Sequence, residues 1–161
     1  MTRPRSGIGF DLHKLVSGPP LILGGVEIPS ELGPEAHSDG DVLIHATCDA
    51  LLGATGNDDI GSHFPDSDPE YDGLSGEDMA EEVLDLIHEQ GFQLYQMDST
   101  LVLEAPKLNP HKQQIKASMS ELLELSASDI GLKATTMEGL GDIGEGQAIA
   151  AWVSVMVTGT S

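Results

Sequence analysis

The chain has 161 residues, with 27 Asp and Glu against 7 Lys and Arg, so its formal net charge is −20. Such an acidic surface repels nucleic acids and anionic membranes, and the sequence therefore predicts neither as a partner. Hydrophobic residues make up 39% of the chain, and its single cysteine excludes an intrachain disulfide. These properties favour one folded domain over residues 1–161.

The acidic residues are spread along the whole chain. This distribution is typical of a halophilic protein, because high salt shortens the range of repulsion between like charges. We therefore expect the melting temperature to rise between dilute buffer and molar KCl. The sequence has no apolar run near the ~20 residues of a membrane span. It also begins without the features of a signal or transit peptide, so we expect a cytoplasmic location.

The first predicted elements are a strand and a hairpin. Residues 7–15 alternate between two faces, and this period of two places Asp11 and His13 on the same side. Residues 21–28 follow as a tight hairpin around two glycines, and residues 29–40 as a loop rich in Pro, Gly and acids.

The segment from Ala36 to His45 leads into the first predicted helix. Ser38 followed by Asp41 resembles a capping box, and apolar residues continue the helix to about Ala54. His45 then lies in the first turn of the helix. The same pattern also fits a polar helix cap with two incidental histidines.

The remaining segments alternate between helices and strands. The sequence predicts a loop over 56–76, a helix from Ser75 to about Gly91, a strand over 93–105, a helix capped by Asn109 with Pro110 at its first position, a helical turn near 126–129, a strand over 130–136, a glycine-rich loop over 137–147 and a strand over 148–157. This order favours an α+β fold, a two-layer α/β sandwich in which a mixed sheet packs against helices.

Three side chains form a candidate metal site. Asp11 and His13 share one face of a strand, and His45 lies on the first helix. Three nitrogen and oxygen ligands with a vacant fourth position are typical of a catalytic zinc site. The alternative is a hydrogen-bonded strand pair beside an unrelated helix histidine.

Two other segments offer candidate phosphate contacts. Glu138 follows Thr135 and Thr136 at the end of a strand, where a carboxylate can hold Mg²⁺ or Mn²⁺. The alternative is a turn rich in hydroxyl groups. Lys107 lies in a proline-bounded loop and is either a phosphate or base contact or a surface lysine. Cys48 falls inside the first helix, which favours a buried thiol over a nucleophile.

Six blocks of the sequence, taken in order, resemble the 2-C-methyl-D-erythritol 2,4-cyclodiphosphate synthase family. They are GFDLHKL (9–15), LILGGVEIP (21–29), AHSDGDVLIHATCDALLGA (36–54), DIGSHFPDSDP (59–69), EAPKLNPH (104–111) and KATTMEGLG (133–141). The resemblance implies a phosphorus–oxygen lyase of the non-mevalonate isoprenoid route. Such an enzyme converts 4-diphosphocytidyl-2-C-methyl-D-erythritol 2-phosphate into the cyclodiphosphate and releases CMP.

The resemblance also implies cofactors and a quaternary structure. It assigns Zn²⁺ to Asp11, His13 and His45, and Mg²⁺ or Mn²⁺ to Glu138 together with the substrate diphosphate. Members of the family are homotrimers whose sheets meet around the trimer axis. Their active sites lie at subunit interfaces and take a small-molecule cytidine diphosphate substrate.

Individual roles follow from the same resemblance. His37 and Thr136 match positions that stabilise the transition state. The positions that match substrate contacts are Asp11, Leu12, His13, His37, Ser38, Asp59, Ile60, Gly61, Phe64, Pro65, Asp66, Ser67, Asp68, Leu103, Glu104, Ala105, Pro106, Lys107, Leu108, Asn109, Thr135, Thr136, Met137 and Glu138.

One part of the sequence departs from the family pattern. Asp142 and Glu145 stand where many members carry the phenylalanine and arginine that line a central cavity of the trimer. We therefore expect this cavity not to bind isoprenoid diphosphates. Two alternative functions stay open: a metal-dependent phosphohydrolase that uses the same Asp-His-His site, and a non-catalytic metal-binding trimer.

Overall fold

The computed structural model describes residues 3–65 and 67–159, and most of its strands join one five-stranded sheet. These strands are β1 (Arg5–Ser17), β4 (Leu32–Pro34), β5 (Phe92–Val102), β6 (Ile130–Thr135) and β7 (Ala148–Gly159), whereas β2 (Leu21–Leu23) and β3 (Val26–Ile28) form a separate hairpin. The strand order is β4-β1-β7-β5-β6. Only the β5–β6 pair of this sheet is parallel, so the predicted mixed sheet is confirmed.

The helices lie between the strands in the chain. They are α1 (Val42–Thr55), α2 (Ile60–His63), α3 (Gly76–Glu89), α4 (Lys112–Leu122) and α5 (Gly141–Gly144), with 3-10 helices over Pro69–Tyr71 and Ala127–Asp129. Helix α1 packs across β1 and β7, and α3 packs against α1. This arrangement confirms the predicted α+β sandwich. No helix in residues 3–65 and 67–159 combines the length and apolar character that a membrane span requires.

Small residues bring α1 unusually close to β1. A Cβ atom added to Gly9 would lie 1.8 Å from the Ala46 carbonyl oxygen, and one added to Gly7 would lie 1.9 Å from that of Ala50. Both separations are far shorter than any real Cβ contact. Glycine on the strand is therefore required for this close approach, which brings His45 on α1 beside Asp11 on β1.

The face of β1 turned away from α1 is apolar and exposed. Ile8, Phe10 and Leu12 lie on this face, and Trp152 of β7 lies opposite Phe10 with a ring-centroid separation of 4.4 Å. Ile8 is 77% exposed and Trp152 is 54% exposed. Clustered apolar side chains of this size are typical of a surface that contacts another protein chain.

Several boundaries differ from the sequence predictions. The cap of α1 is Asp41 rather than Ser38, because the Asp41 carboxylate accepts hydrogen bonds from the first helical amides. Helix α4 begins at Lys112, and its cap position is His111 rather than Asn109. The predicted loops over 56–76 and 137–147 contain short helices, and the loop over 29–40 contains β4. Elements of three or four residues have too little periodicity to be recognised in a sequence.

Candidate metal centre and substrate clefts

Three side chains from two elements meet at one point. Asp11 Oδ2 lies 3.0 Å from His13 Nε2 and 3.2 Å from His45 Nδ1. His13 Nε2 lies 3.4 Å from His45 Nδ1. The strand period places Asp11 and His13 on one side of β1, and the close packing of α1 brings His45 to the same side.

These separations fit a bound zinc ion. Donor atoms at 2.0–2.1 Å from a tetrahedral metal stand about 3.3 Å from one another. The three donor pairs span 3.0 to 3.4 Å. One carboxylate and two imidazoles are ligands that zinc accepts, and three protein ligands leave one position for water or substrate. The predicted metal-binding group is therefore assembled within a single chain.

The charges around this group favour a cation. Burial by itself raises the pKa of Asp11, but the hydrogen bonds and charges of His13 and His45 outweigh it and hold the pKa well below its usual value. Burial likewise lowers the pKa of His45, but the contact with Asp11 and the charges of Asp41 and Asp39 raise it overall. The Asp11 carboxylate therefore stays ionised, and its negative charge attracts a protonated histidine or a bound cation.

The buried carboxylate of Asp41 fixes the start of α1. One oxygen accepts hydrogen bonds from Leu43 N and Ile44 N, both at 3.1 Å, and the other accepts from Gly25 N at 2.8 Å. Complete burial raises the pKa of Asp41 to about 6, although these backbone hydrogen bonds oppose the shift. Asp41 thus ties the β2–β3 turn to the helix that carries His45.

A first cleft of about 380 Å³ opens beside the metal-binding group. Eight residues that the sequence predicted for the site line this cleft: Asp11, His13, His37, Ser38, His45, Ile60, Gly61 and Phe64. The sequence missed a second set, which consists of Glu35, Ala36, Tyr71, Asp72, Gly73, Leu74 and Met79. Phe64 and Tyr71 meet edge to face with centroids 5.3 Å apart, and both rings line the cleft. Tyr71 lies in the 56–76 segment, which has no hydrophobic periodicity. Only its aromatic side chain could have indicated from the sequence that it belongs to the site.

Other predicted contacts in this region lie outside the cleft lining. The Leu12 side chain lies on the exposed face of β1, opposite Asp11 and His13. Asp59 caps α2 by accepting a hydrogen bond from Ser62 N, and Asp68 caps the following 3-10 helix. Pro65 and Ser67 lie between these caps, and Asp66 lies outside the described residues.

A second cleft of about 160 Å³ lies between the end of β5 and β6. It is lined by Leu103, Glu104, Pro106, Lys107, Leu108, Asn109, Ala134, Thr135 and Thr136. The Glu104 Oε2 atom is buried and has no hydrogen-bond partner among the described residues. Ala105, Met137 and Glu138 are exposed and do not line this cleft. The Glu138 backbone is left-handed, with φ of 53°, and its amide donates to Thr136 Oγ1 at 3.2 Å.

The two clefts have no lining residue in common. Strands β7 and β5 separate β1 from β6, so the two clefts are three inter-strand steps apart, or about 14 Å. The metal-binding group and the predicted nucleotide contacts therefore do not form one continuous cleft within a single chain.

Comparisons with known proteins agree on one family. The YgbB family model matches residues 4–158. The 2-C-methyl-D-erythritol 2,4-cyclodiphosphate synthase of Desulfatibacillum aliphaticivorans is 48% identical over 147 residues, which cover 91% of this chain and 95% of that protein. The synthase of Porphyromonas gingivalis strain W83 is 46% identical over 158 residues, 98% of each chain. A solved structure of the synthase in its CDP-bound form has a TM-score of 0.89 at 42% identity, over 95% of this chain and 99% of that one.

Proposed function

We propose a mechanism from the premise that this chain belongs to the YgbB family and catalyses the synthesis of 2-C-methyl-D-erythritol 2,4-cyclodiphosphate in isoprenoid biosynthesis. The substrate is 4-diphosphocytidyl-2-C-methyl-D-erythritol 2-phosphate, and the reaction is that of a phosphorus–oxygen lyase. The observation that carries the mechanism is the triangle of donor atoms on Asp11, His13 and His45, whose sides match a tetrahedral zinc site.

The reaction is an intramolecular displacement at phosphorus. An oxygen of the 2-phosphate bonds to the β-phosphorus, and the bond from that phosphorus to the oxygen shared with the α-phosphate breaks. The leaving group departs as CMP, so no external nucleophile is consumed. Both reacting groups are anionic, and the barrier consists largely of charge repulsion and orientation.

Two divalent ions complete the site in this proposal. Asp11, His13 and His45 would hold Zn²⁺, and Glu138 would contribute a carboxylate to a site for Mg²⁺ or Mn²⁺ at the substrate diphosphate. When bound, the two ions neutralise phosphate charge and polarise the β-phosphate. They also explain how a chain with a net charge of −20 accepts an anionic substrate.

Residues at the edge of the first cleft orient the methylerythritol phosphate. His37 and Ser38 precede α1 and line the cleft beside the metal-binding group. His37 donates to phosphate oxygens as charge develops in the transition state, and Thr136 does so from the second cleft. The described residues of the 59–68 segment, 59–65, 67 and 68, contact the sugar-like part of the substrate and limit the access of water. No protein nucleophile is required, and Cys48 is buried with a raised pKa because of that burial.

The second cleft holds the cytidine end of the substrate. Lys107 offers a positive charge at its rim, and backbone groups of the segment from Leu103 to Asn109 can recognise the edge of the base. The hydroxyl groups of Thr135 and Thr136 lie across the same cleft. With the methylerythritol part in the first cleft and the cytidine in the second, the reacting phosphates lie between the two clefts.

A homotrimer with active sites at subunit interfaces unites the clefts. The first cleft of one chain faces the second cleft of its neighbour in this arrangement. The exposed apolar face formed by Ile8, Phe10, Leu12 and Trp152 supports it, because clustered apolar side chains of this size are typical of a surface that contacts another protein chain. A cytoplasmic location and a single domain over residues 1–161 stay predictions from the sequence.

A ³¹P NMR experiment tests the reaction. Purified protein with Mg²⁺ and the substrate should convert the signals of the 2-phosphate and diphosphate into those of a cyclic diphosphate, with stoichiometric CMP. Release of inorganic phosphate would instead favour the phosphohydrolase that uses the same Asp-His-His group. In that case ¹⁸O from labelled water would appear in the product, whereas cyclisation incorporates none.

A further inference from the structure

One buried side-chain atom beside the second cleft lacks a hydrogen-bond partner. The Oε2 atom of Glu104 is buried and accepts no hydrogen bond from any group in residues 3–65 and 67–159. Glu104 follows the end of β5 by two residues and lines the second cleft. A buried acceptor without a donor destabilises a protein, and a charged one does so more strongly. We therefore expect the missing donor to come from a bound molecule or from another chain.

The other polar side chains of the second cleft do not supply this donor. Thr135 Oγ1 donates to the carbonyl oxygen of Thr136 at 3.3 Å. Lys107 and Asn109 are exposed, and neither bonds to Glu104 Oε2. The carboxylate is therefore available to a molecule that enters the cleft.

The rest of the cleft suits a single small ring. Its volume of about 160 Å³ lies below the roughly 300–1,000 Å³ of pockets that enclose whole drug-sized ligands. Leu103, Pro106, Leu108 and Ala134 give it apolar walls, against which the faces of a base can pack. In a pocket of this kind, a few polar groups fix the orientation of the ligand and provide specificity. The unpaired oxygen of Glu104 is such a group.

A carboxylate distinguishes cytosine from uracil. Cytosine carries an amino group at C4, which donates hydrogen bonds, whereas uracil carries a carbonyl oxygen at the same position, which only accepts them. An ionised carboxylate accepts hydrogen bonds but cannot donate one. Glu104 Oε2 therefore complements the amino group of cytosine, whereas uracil would set a second unpaired acceptor against it.

We propose that Glu104 determines the base specificity of the second cleft by accepting a hydrogen bond from the N4 amino group of cytosine. The inference rests on the proposed function, because it takes the second cleft as the site of the cytidine end of the substrate. It adds one side chain to the backbone groups that can recognise the edge of the base. The bound base supplies the donor that the chain itself lacks, and a uridine nucleotide supplies none at this position.

The test measures the dissociation constants of CDP and UDP by calorimetry at fixed salt in the wild type, Glu104→Gln and Glu121→Gln. Glutamine has the shape of glutamate, but its amide group offers both a donor and an acceptor, so it can pair with either base. Glu121 is an exposed residue of α4 outside the cleft lining, and its replacement removes the same charge. The ratio of the two dissociation constants cancels any effect of charge or stability that is common to both nucleotides.

We expect the wild type to bind CDP about 10- to 100-fold more tightly than UDP, which is the discrimination provided by one good base contact. In Glu104→Gln this ratio should fall to about threefold or less, because the amide can turn its NH₂ group toward O4 of uracil. Glu121→Gln should keep the wild-type ratio. A purely structural role of Glu104 would instead weaken the binding of both nucleotides equally.

Two results would overturn the proposal: a wild type that binds both nucleotides alike or neither, and an unchanged ratio in Glu104→Gln. An unchanged ratio together with a smaller particle in light scattering would assign the carboxylate to a donor of a neighbouring subunit. If Glu104→Gln fails to fold, the wild type decides. Nuclear Overhauser contacts between the N4 amino protons of bound ¹⁵N-labelled CDP and the Hγ protons of Glu104 support the proposal, and their absence contradicts it. Because these measurements involve no turnover, a failure of the synthase reaction would appear separately in the ³¹P NMR experiment.

Discussion

The two clefts differ in how their functional side chains are held. In the first cleft, Asp11, His13 and His45 contact one another at 3.0 to 3.4 Å, and Asp39 and Asp41 fix the loop and helix around them. In the second cleft, Lys107 and Thr136 are exposed, and Glu104 Oε2 is buried without a hydrogen-bond partner among the described residues. Glu138 is exposed and lies outside the cleft lining.

Because of this difference, we expect metal binding and catalysis to respond to different substitutions. The first cleft is pre-organised by contacts within one chain, so it should bind zinc without substrate or an intact interface. The side chains of the second cleft are not held by one another in this way, and in the proposed trimer the substrate and a neighbouring subunit complete this cleft. Variants in the two clefts should therefore affect different measurements.

The largest expected effect follows from His45→Ala in the first cleft. Removing one of three ligands should abolish zinc binding and reduce kcat/KM by a factor on the order of 10³ or more, because a metal contributes several kcal/mol of charge stabilisation. Zinc content and single-turnover kinetics measure both losses. The oligomeric state, followed by light scattering, should stay that of the wild type.

His88→Ala is the matched control for this variant. His88 is exposed on α3 and contributes to neither cleft. It should retain full zinc content and full rate. Wild-type activity in His45→Ala would remove His45 from the site and leave the first cleft without its proposed role.

The pH dependence of stability tests the buried Asp41, whose pKa rises from its ordinary 3.8 to about 6 on burial. The folded state then holds the proton more tightly, so the stabilisation is present below pH 3.8 and is lost as pH rises to about 6. This shift of about two pKa units corresponds to ~3 kcal/mol. Asp41→Asn lacks this titration, and denaturant unfolding of both metal-free proteins should show their stability difference shrinking by ~3 kcal/mol over that range.

Asp41→Asn should also lower the stability by an amount that does not depend on pH. The amide group cannot accept the hydrogen bond from Gly25 N while it also caps α1, which costs about 1–3 kcal/mol at every pH. Asp58→Asn, at an exposed position, controls for the loss of one charge. A difference between the wild type and Asp41→Asn that stays constant from pH 3.8 to 6 would contradict the assignment.

Glu138→Gln should affect catalysis without affecting zinc binding in the first cleft. An amide holds a divalent ion less well than a carboxylate, so kcat should fall by about 10²-fold and the Mg²⁺ concentration needed for half-maximal rate should rise. Zinc affinity should stay unchanged, because Glu138 is not part of the Asp11–His13–His45 group. Loss of zinc together with loss of rate would show that the clefts are not independent. Glu124→Gln is a suitable control, since Glu124 is also exposed and has positive φ.

The smallest effect is expected for Lys107→Gln. Exposed charge contacts contribute about 1 kcal/mol or less, so the dissociation constant of CDP should rise by about three- to fivefold in calorimetry at fixed salt. Lys116→Gln, on α4 and outside the cleft lining, should leave CDP binding unchanged. Equal weakening by both variants would indicate a long-range charge effect instead of a contact in the second cleft.

Local sequence patterns determined much of this protein. The period of two placed Asp11 and His13 on one face of β1, and the helical run after Asp41 placed His45 in the first turn of α1. The alternation of strands and helices predicted the α+β sandwich, and the six sequence blocks pointed to the family that the comparisons then showed. These features depend on residues close together in the chain, where backbone geometry fixes side-chain direction.

Only the tertiary structure decided which distant groups meet. The close approach of α1 to β1 at Gly7 and Gly9 brings His45 to Asp11, and no local pattern encodes that distance. The cap of α1 is Asp41 and not the predicted Ser38. The hairpin turn at Gly25 supplies a further hydrogen-bond donor to the buried Asp41 carboxylate. The contact between Asp39 and Gly76 and the separation of the two clefts likewise arise from packing between elements far apart in sequence, which periodicity cannot report.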